Sequence, residues 1–180
     1  MTKNISSQFD VTGFGVIVTG GASGLGLAYG EVLAAHGARV TLIDLNPNAV
    51  AAQASRLREE GLDVRGAVAD VTDHAALDAV IDRYGRLDVA FANARIDPGV
   101  GFLEASFGPE RTRVEAGALE RYTDERWNRV ININRNGIFA TARAAARHMR
   151  PRRCGRIILT TSIAATVVEP RSPRMTHVKI

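Results

Sequence analysis

Gly20, Gly24 and Gly26 punctuate the stretch "TGGASGLG", with an apolar run before it and an amphipathic run after it. Glycines at this spacing suit one kind of chemistry, the close approach of a phosphate group to bare backbone. Gly20 permits a tight turn, Gly24 lets backbone come near a pyrophosphate, and Gly26 lets a helix pack on a strand. Ser23 and Leu25 belong to the same stretch, and a helix starting near Leu25 aims its positive end at the phosphates. Asp44 follows Gly26 by 18 residues and ends the next apolar run. A carboxylate there accepts hydrogen bonds from a ribose 2′-hydroxyl and repels a 2′-phosphate. No Lys or Arg lies in the glycine stretch or beside Asp44. The pattern predicts a dinucleotide site that takes NAD in preference to NADP. A helix-capping turn beside an incidental carboxylate is the competing reading.

The elements around these residues alternate. Short apolar runs at 14–20, 38–44, 63–70, 87–93 and 155–162 read as strands. Between them, 25–37, 47–61 and 73–85 carry apolar residues at helical spacing, and 123–150 reads as one long helix capped by Thr123 and stopped by Pro151. Residues 95–122, with four glycines, two prolines and little period, read as a long loop. Alternation of this kind implies right-handed crossovers and a parallel sheet with helices on both faces, an α/β class.

Composition sets the outer limits. The chain has 180 residues, 46% of them hydrophobic and 23% charged, which suits one soluble domain with a substantial core. Cys154 is the only cysteine, so the sequence points to a reducing compartment. No apolar run reaches membrane-spanning length and "MTKNISSQFD" lacks a signal-peptide core, so a cytoplasmic protein is expected. Charge is uneven: 11 basic and 18 acidic residues up to Glu125, then 12 basic and one acidic. The basic cluster of Arg143, Arg147, Arg150, Arg152, Arg153 and Arg156 has no interleaved aromatics. It reads as the solvated end of a helix and not as a nucleic-acid surface. His36, His74 and His148 stand singly, and no metal site is expected.

Together the motifs resemble the short-chain dehydrogenase/reductase family over about residues 10–166. The glycine spacing is that family's. "DVT" at 70–72 is similar to the segment whose acid and following apolar residue flank the adenine, here Asp70 and Val71. "FANA" at 91–94 is similar to its Asn-Ala-Gly motif, with Asn93 at the cofactor. "WNRVININRNGIF" resembles the helix bearing the active-site Asn, which falls on Asn134. "GRIILTTSIAA" resembles the strand ending in the catalytic Ser, which falls on Ser162. The resemblance implies a Rossmann-type doubly wound sheet of about five strands in the order 3-2-1-4-5, forming an NAD-binding domain over residues 1–166. It also implies hydride transfer between nicotinamide and a small alcohol or carbonyl substrate. In that chemistry a Tyr exchanges the hydroxyl proton. A Lys lowers its pKa and binds the nicotinamide ribose, the Ser holds the substrate oxygen, and the Asn holds a relay water.

The ending departs from the family. Its Tyr falls on Met175 and its Lys on Lys179, so the Tyr-x-x-x-Lys box reads "MTHVK". A thioether has no transferable proton, and His177, two positions along, would face roughly the opposite way on a helix. The family continues past this point, so residues 167–180 are expected to be an atypical tail of a truncated or frame-shifted copy. Its oligomer interface would be incomplete. Arg95 replaces the Gly of Asn-Ala-Gly. Arg135 shares a helical stripe with Ile131, Ile138 and Ala142, which predicts a charge buried in the packing. The expected function is an NAD-dependent oxidoreductase by family, impaired in this chain. The alternative is a non-catalytic NAD-binding or partner-binding remnant.

Overall fold

Five parallel strands carry the architecture of the computed structural model, which describes residues 10–83, 85–96 and 123–161. They are β1 (Gly15–Thr19), β2 (Arg39–Asp44), β3 (Val64–Val68), β4 (Val89–Ala92) and β5 (Arg156–Leu159), in spatial order β3-β2-β1-β4-β5. The expected strand order is borne out. Every residue of β1 and of β4 is buried. A strand covered on both faces needs no polar alternation, which is why "GVIV" and "VAFA" are unbroken apolar runs.

The two faces still divide by parity. Val16 and Val18 join Val40, Leu42 and Val64 beneath α1 (Gly24–Ala35) and α2 (Pro47–Glu59), where Ala34, Val50, Ala54 and Leu57 close the layer. Ile17, Ile43 and Ala90 face the other way. They meet Leu77 and Ile81 of α3 (His74–Asp82) and Ala140, Ala144 and Ala145 of α5 (Ile138–Met149). The doubly wound sheet therefore has two apolar layers, and both strand edges are thin. Only Val64 of β3 is buried, and all four residues of β5 are exposed.

Local chemistry sets the helix starts. Asn46 accepts hydrogen bonds from the N–H groups of Asn48 and Ala49, with Pro47 in the first turn of α2. Asp73 does the same for α3, and Thr123 accepts from the Arg126 N–H at the start of α4 (Asp124–Ile131). Such caps satisfy N–H groups that the helix itself leaves without partners. Ser23, before α1, is extended but its side chain makes no capping bond.

Two expectations need correction. The long helix 123–150 is not one α-helix. α4 passes into a π-helical turn, Asn132–Gly137, before α5 begins, and Arg150–Arg152 form a 3-10 turn at Pro151. The wider turn seats Gly137 against Val71, where a Cβ would come within 2.5 Å of Val71 Cγ2, and π-turns of this kind often occur at functional positions. Arg135 is the second correction. The buried stripe runs through Gly137, Ala140, Thr141, Ala144 and Ala145. Arg135, two residues before Gly137, lies on roughly the other side and is exposed.

Three arginines of the basic cluster, and His148 beside them, find partners inside the fold. Arg147 pairs with Asp78, His148 Nε2 lies 2.8 Å from Asp82, and Arg143 stacks over Phe139. Arg152 reaches the Leu87 carbonyl at 2.8 Å and Asp88 at 3.1 Å. Asp88, at the amino end of β4, is buried and accepts from the Gly15 N–H at 2.9 Å. Burial works to raise its pKa, but the Gly15 hydrogen bond and the Arg86 and Arg152 guanidinium groups outweigh it. The carboxyl is held below its ordinary value. The expected boundary at 166, the tail 167–180 and most of the 95–122 loop lie outside the described residues. No described helix is long and apolar enough to cross a membrane.

Candidate functional site

At the carboxyl ends of the strands the chain leaves β1 for β2 and β3, then returns to β4 on the other side of β1. Such a reversal opens a crevice between diverging connections. A cleft of about 550 Å³ lies there. Its walls are the glycine loop after β1, Asp44 to Asn46 after β2, Ala69 to Val71 after β3, and Asn93 to Ile96 after β4, with Ile133 from the π-turn.

The glycine loop is locked on both sides. Toward β2, the Gly21 N–H donates to the Ile43 carbonyl at 3.1 Å and the Ala22 N–H donates to Asp44 Oδ2 at 3.1 Å. Toward β4, Asn93 Nδ2 donates to the carbonyls of Thr19 at 3.2 Å and Gly20 at 3.3 Å. The Thr19 hydroxyl donates to the Phe91 carbonyl and accepts from the N–H groups of Asn93 and Ala94. That uses its full capacity of one donor and two acceptor sites. Gly20 has φ of +66°, and its missing Cβ would stand 2.8 Å from Ala94 Cα. A side chain at Gly26 would overlap the Gly20 carbonyl, so α1 packs on the loop only because residue 26 has none. Gly24 differs. Its φ is +52°, and the space its Cβ would occupy is empty.

Eight of the ten expected cofactor residues line this cleft: Gly20, Ser23, Gly24, Leu25, Asp44, Asp70, Val71 and Asn93. Gly26 stands behind the loop as a packing position, and Lys179 lies outside the described residues, as do Ser162 and Met175. The detailed geometry is more specific than the spacing suggested. Asn93 is 7% exposed. Both its amide donors serve the loop, and its Oδ1 accepts from the Thr160 hydroxyl at 3.0 Å. Asp70 turns one oxygen inward on Thr72, accepting from both its N–H and its hydroxyl at 2.8 Å. Asn134 does not stand free in the cleft. Its Oδ1 accepts from the Ile96 N–H at 2.8 Å and its Nδ2 donates to the Ile96 carbonyl at 2.9 Å.

Sequence reasoning overlooked Thr19, Thr160, Asn46 and Ile96. Asn46 before Pro47 carried a legible capping signal. The two threonines carried none, because Thr is common in strands and their partners come from distant segments. Arg95 is exposed and lines the cleft.

The glycine end of the cleft has donors and room for a phosphate group. α1 presents its N-terminus without a side-chain cap, and Gly24 leaves the space beside it open. Among the described residues no group of His, Cys, Asp or Glu is arranged to hold a metal ion.

Comparison with known proteins agrees with this geometry. The family model described as short chain dehydrogenase matches residues 15–174. The 2,3-dihydro-2,3-dihydroxybenzoate dehydrogenase of Bacillus subtilis (strain 168) is 30% identical over 150 residues, covering 83% of this chain and 52% of that protein. A short chain dehydrogenase/reductase from Burkholderia phymatum, solved in complex with NAD, superposes with a TM-score of 0.76. It is 26% identical, over 90% of this chain and 53% of that one. An NAD+-bound xylitol dehydrogenase has a TM-score of 0.70 and 30% identity, over 87% of this chain and 55% of that one. The chain spans about half the length of the curated relatives it matches. A parallel sheet in this order, a glycine loop locked at its switch point and a match over most of the chain have one consequence: this chain belongs to the short-chain dehydrogenase family.

Proposed function

We propose that this chain binds NAD in the cleft and serves an oxidoreductase reaction between nicotinamide and an alcohol or carbonyl carbon. One observation carries the reading: an uncapped helix N-terminus and Asp44 flank the same glycine loop. α2, α3 and α4 each have a side-chain cap, while α1 leaves its first N–H groups to the cleft. Those groups suit phosphates. Asp44 keeps acceptor capacity beyond its bonds to the Ala22 and Asn46 N–H groups, and that suits a ribose diol. It also disfavours a 2′-phosphate, so NAD is the preferred coenzyme.

A nicotinamide held in the cleft would supply or accept the hydride. The chain's own residues do the rest. Gly20, Ser23, Gly24 and Leu25 seat the phosphates, with Gly26 keeping α1 close behind. Asp70 and Val71 flank the adenine, and Asn93 fixes the loop. Asn134 holds the segment after β4 in place. Ser162 orients the substrate oxygen, and Lys179 holds the nicotinamide ribose and the proton path. In the sequence motif Met175 stands where the proton donor is expected, and its thioether has no proton to give. A positioned general acid contributes roughly 10²–10⁴ in rate, so turnover by this chain is expected to be low. That same residue favours a second reading, a non-catalytic NAD-binding protein.

Coenzyme titration followed by fluorescence tests the binding half. NADH should bind more tightly than NADPH by about tenfold or more, and equal affinities would remove the assignment. NADH oxidation against a panel of ketones and aldehydes tests the catalytic half. Clear turnover by the unaltered chain would show that the phenol is dispensable. Turnover only in Met175→Tyr would show that one residue separates the two readings.

A further inference from the structure

We propose that Arg95 is the cation that holds the diphosphate of the bound dinucleotide, an inference that rests on the cleft being a dinucleotide site. Among the described residues Arg95 is the only Lys, Arg or His lining the cleft, whereas two carboxylates, Asp44 and Asp70, line it as well. A diphosphate brings two more negative charges. A helix N-terminus offers about half a positive charge against them. Arg95 supplies the one full positive charge among the described lining residues to set against them.

Its placement is fixed from both sides. The Ala94 N–H donates to the Thr19 hydroxyl at 3.3 Å, and Ala94 packs directly on Gly20. Ile96 is held by the two hydrogen bonds of Asn134. The backbone of Arg95 is therefore clamped between two anchored neighbours beside the glycine loop. Its own side chain is exposed and forms no hydrogen bond or ion pair with another described residue. The strand order adds direction. Asp44 ends β2 and Arg95 follows β4, so the two flank β1 and its loop from opposite sides. Neighbouring strands are ~4.8 Å apart, so the ends of β2 and β4 bracket the loop at about 10 Å. The strand order thus places Asp44 and Arg95 on opposite sides of the loop that would seat the phosphates. A guanidinium's planar fork of donors matches two phosphate oxygens at once.

The test uses the full chain with two probes, ADP-ribose, which carries the diphosphate, and adenosine, which does not. Affinities for the unaltered chain, Arg95→Ala and Arg95→Lys are measured by calorimetry and ligand-observed NMR at two salt concentrations. Arg95→Ala should weaken ADP-ribose by about 10–100-fold and leave adenosine within about twofold. Arg95→Lys should fall between, since it keeps the charge and loses the fork. The salt dependence of ADP-ribose binding should flatten in Arg95→Ala. Unchanged or tighter ADP-ribose binding by Arg95→Ala would overturn the proposal alone, showing that the side chain stands clear of the phosphates or obstructs them. An equal loss for adenosine would overturn it too, by showing that the substitution distorts the cleft. Failure of the unaltered chain to bind either probe would overturn the dinucleotide reading and this proposal with it.

Discussion

Asn134 and Ile96 stand 38 residues apart and close a reciprocal pair of hydrogen bonds, side-chain amide to backbone amide. An asparagine amide matches a peptide group in both donor and acceptor, so it pairs with the backbone of Ile96, four residues beyond the end of β4. The bond pair ties the π-turn to the segment carrying Arg95, and so joins the helix layer to the rim of the cleft.

Asn134→Ala should loosen that rim. Two hydrogen bonds at about 0.5–1.5 kcal/mol each predict a loss of roughly 1–3 kcal/mol of stability. Coenzyme affinity should fall with it, through the segment 93–96. Thermal unfolding with and without NADH measures both. A stable variant with unchanged affinity would show that the rim is held by other contacts.

Asn93 offers a sharper contrast. Its Nδ2 faces two carbonyl oxygens, those of Thr19 and Gly20. Asn93→Asp keeps the shape but sets a carboxylate oxygen against both carbonyls, in a site that is 7% exposed. The aspartate variant should therefore be less stable than Asn93→Ala, although it is the smaller change. Denaturant midpoints compared across the three chains decide it. The reverse order would mean that the loop relaxes away from residue 93.

Arg135→Leu tests the helix phase. A buried charge predicts a gain in stability on this substitution. The exposed position found for Arg135 predicts a change within about 0.5 kcal/mol either way. A rise of the unfolding midpoint well beyond that would return Arg135 to the packed face.

Asp88 predicts an acid limit to stability. Its pKa is held down when folded, because the Gly15 N–H and two guanidinium groups outweigh the cost of burial. An unfolded aspartate titrates near ~3.9. The folded form therefore binds its proton less readily than the unfolded form. The stabilisation is complete above about pH 4 and drains away as pH falls through the lower, folded value. Asp88→Asn should cost roughly 1–3 kcal/mol at pH 7 and remove that part of the acid dependence. Urea unfolding from pH 7 down to pH 3 compares the two slopes, and parallel curves would assign the acid limit to other carboxylates.

The sequence by itself determined the alternation of strands and helices, the strand order through its family resemblance, the glycine loop and the carboxylate that follows it. These are local or periodic features. An apolar run, a turn requiring positive φ and a cap before a proline are written in neighbouring residues, and the physics that reads them acts over a few positions. The tertiary structure alone decided what the polar residues do once brought together. Asn93 lines the cleft, and its amide also holds the loop, because Thr19, Gly20 and Thr160 converge on it from two other strand ends. Arg135 looked buried on a stripe assumed to run unbroken. The π-turn and the contact of Gly137 with Val71 set the stripe elsewhere, and Val71 lies far from Arg135 in the chain. Arg95 stood out in sequence only as a substituted glycine. Its place across β1 from Asp44 follows from the order of the strands, since a sheet brings distant segments side by side at a spacing that the chain's own length does not encode.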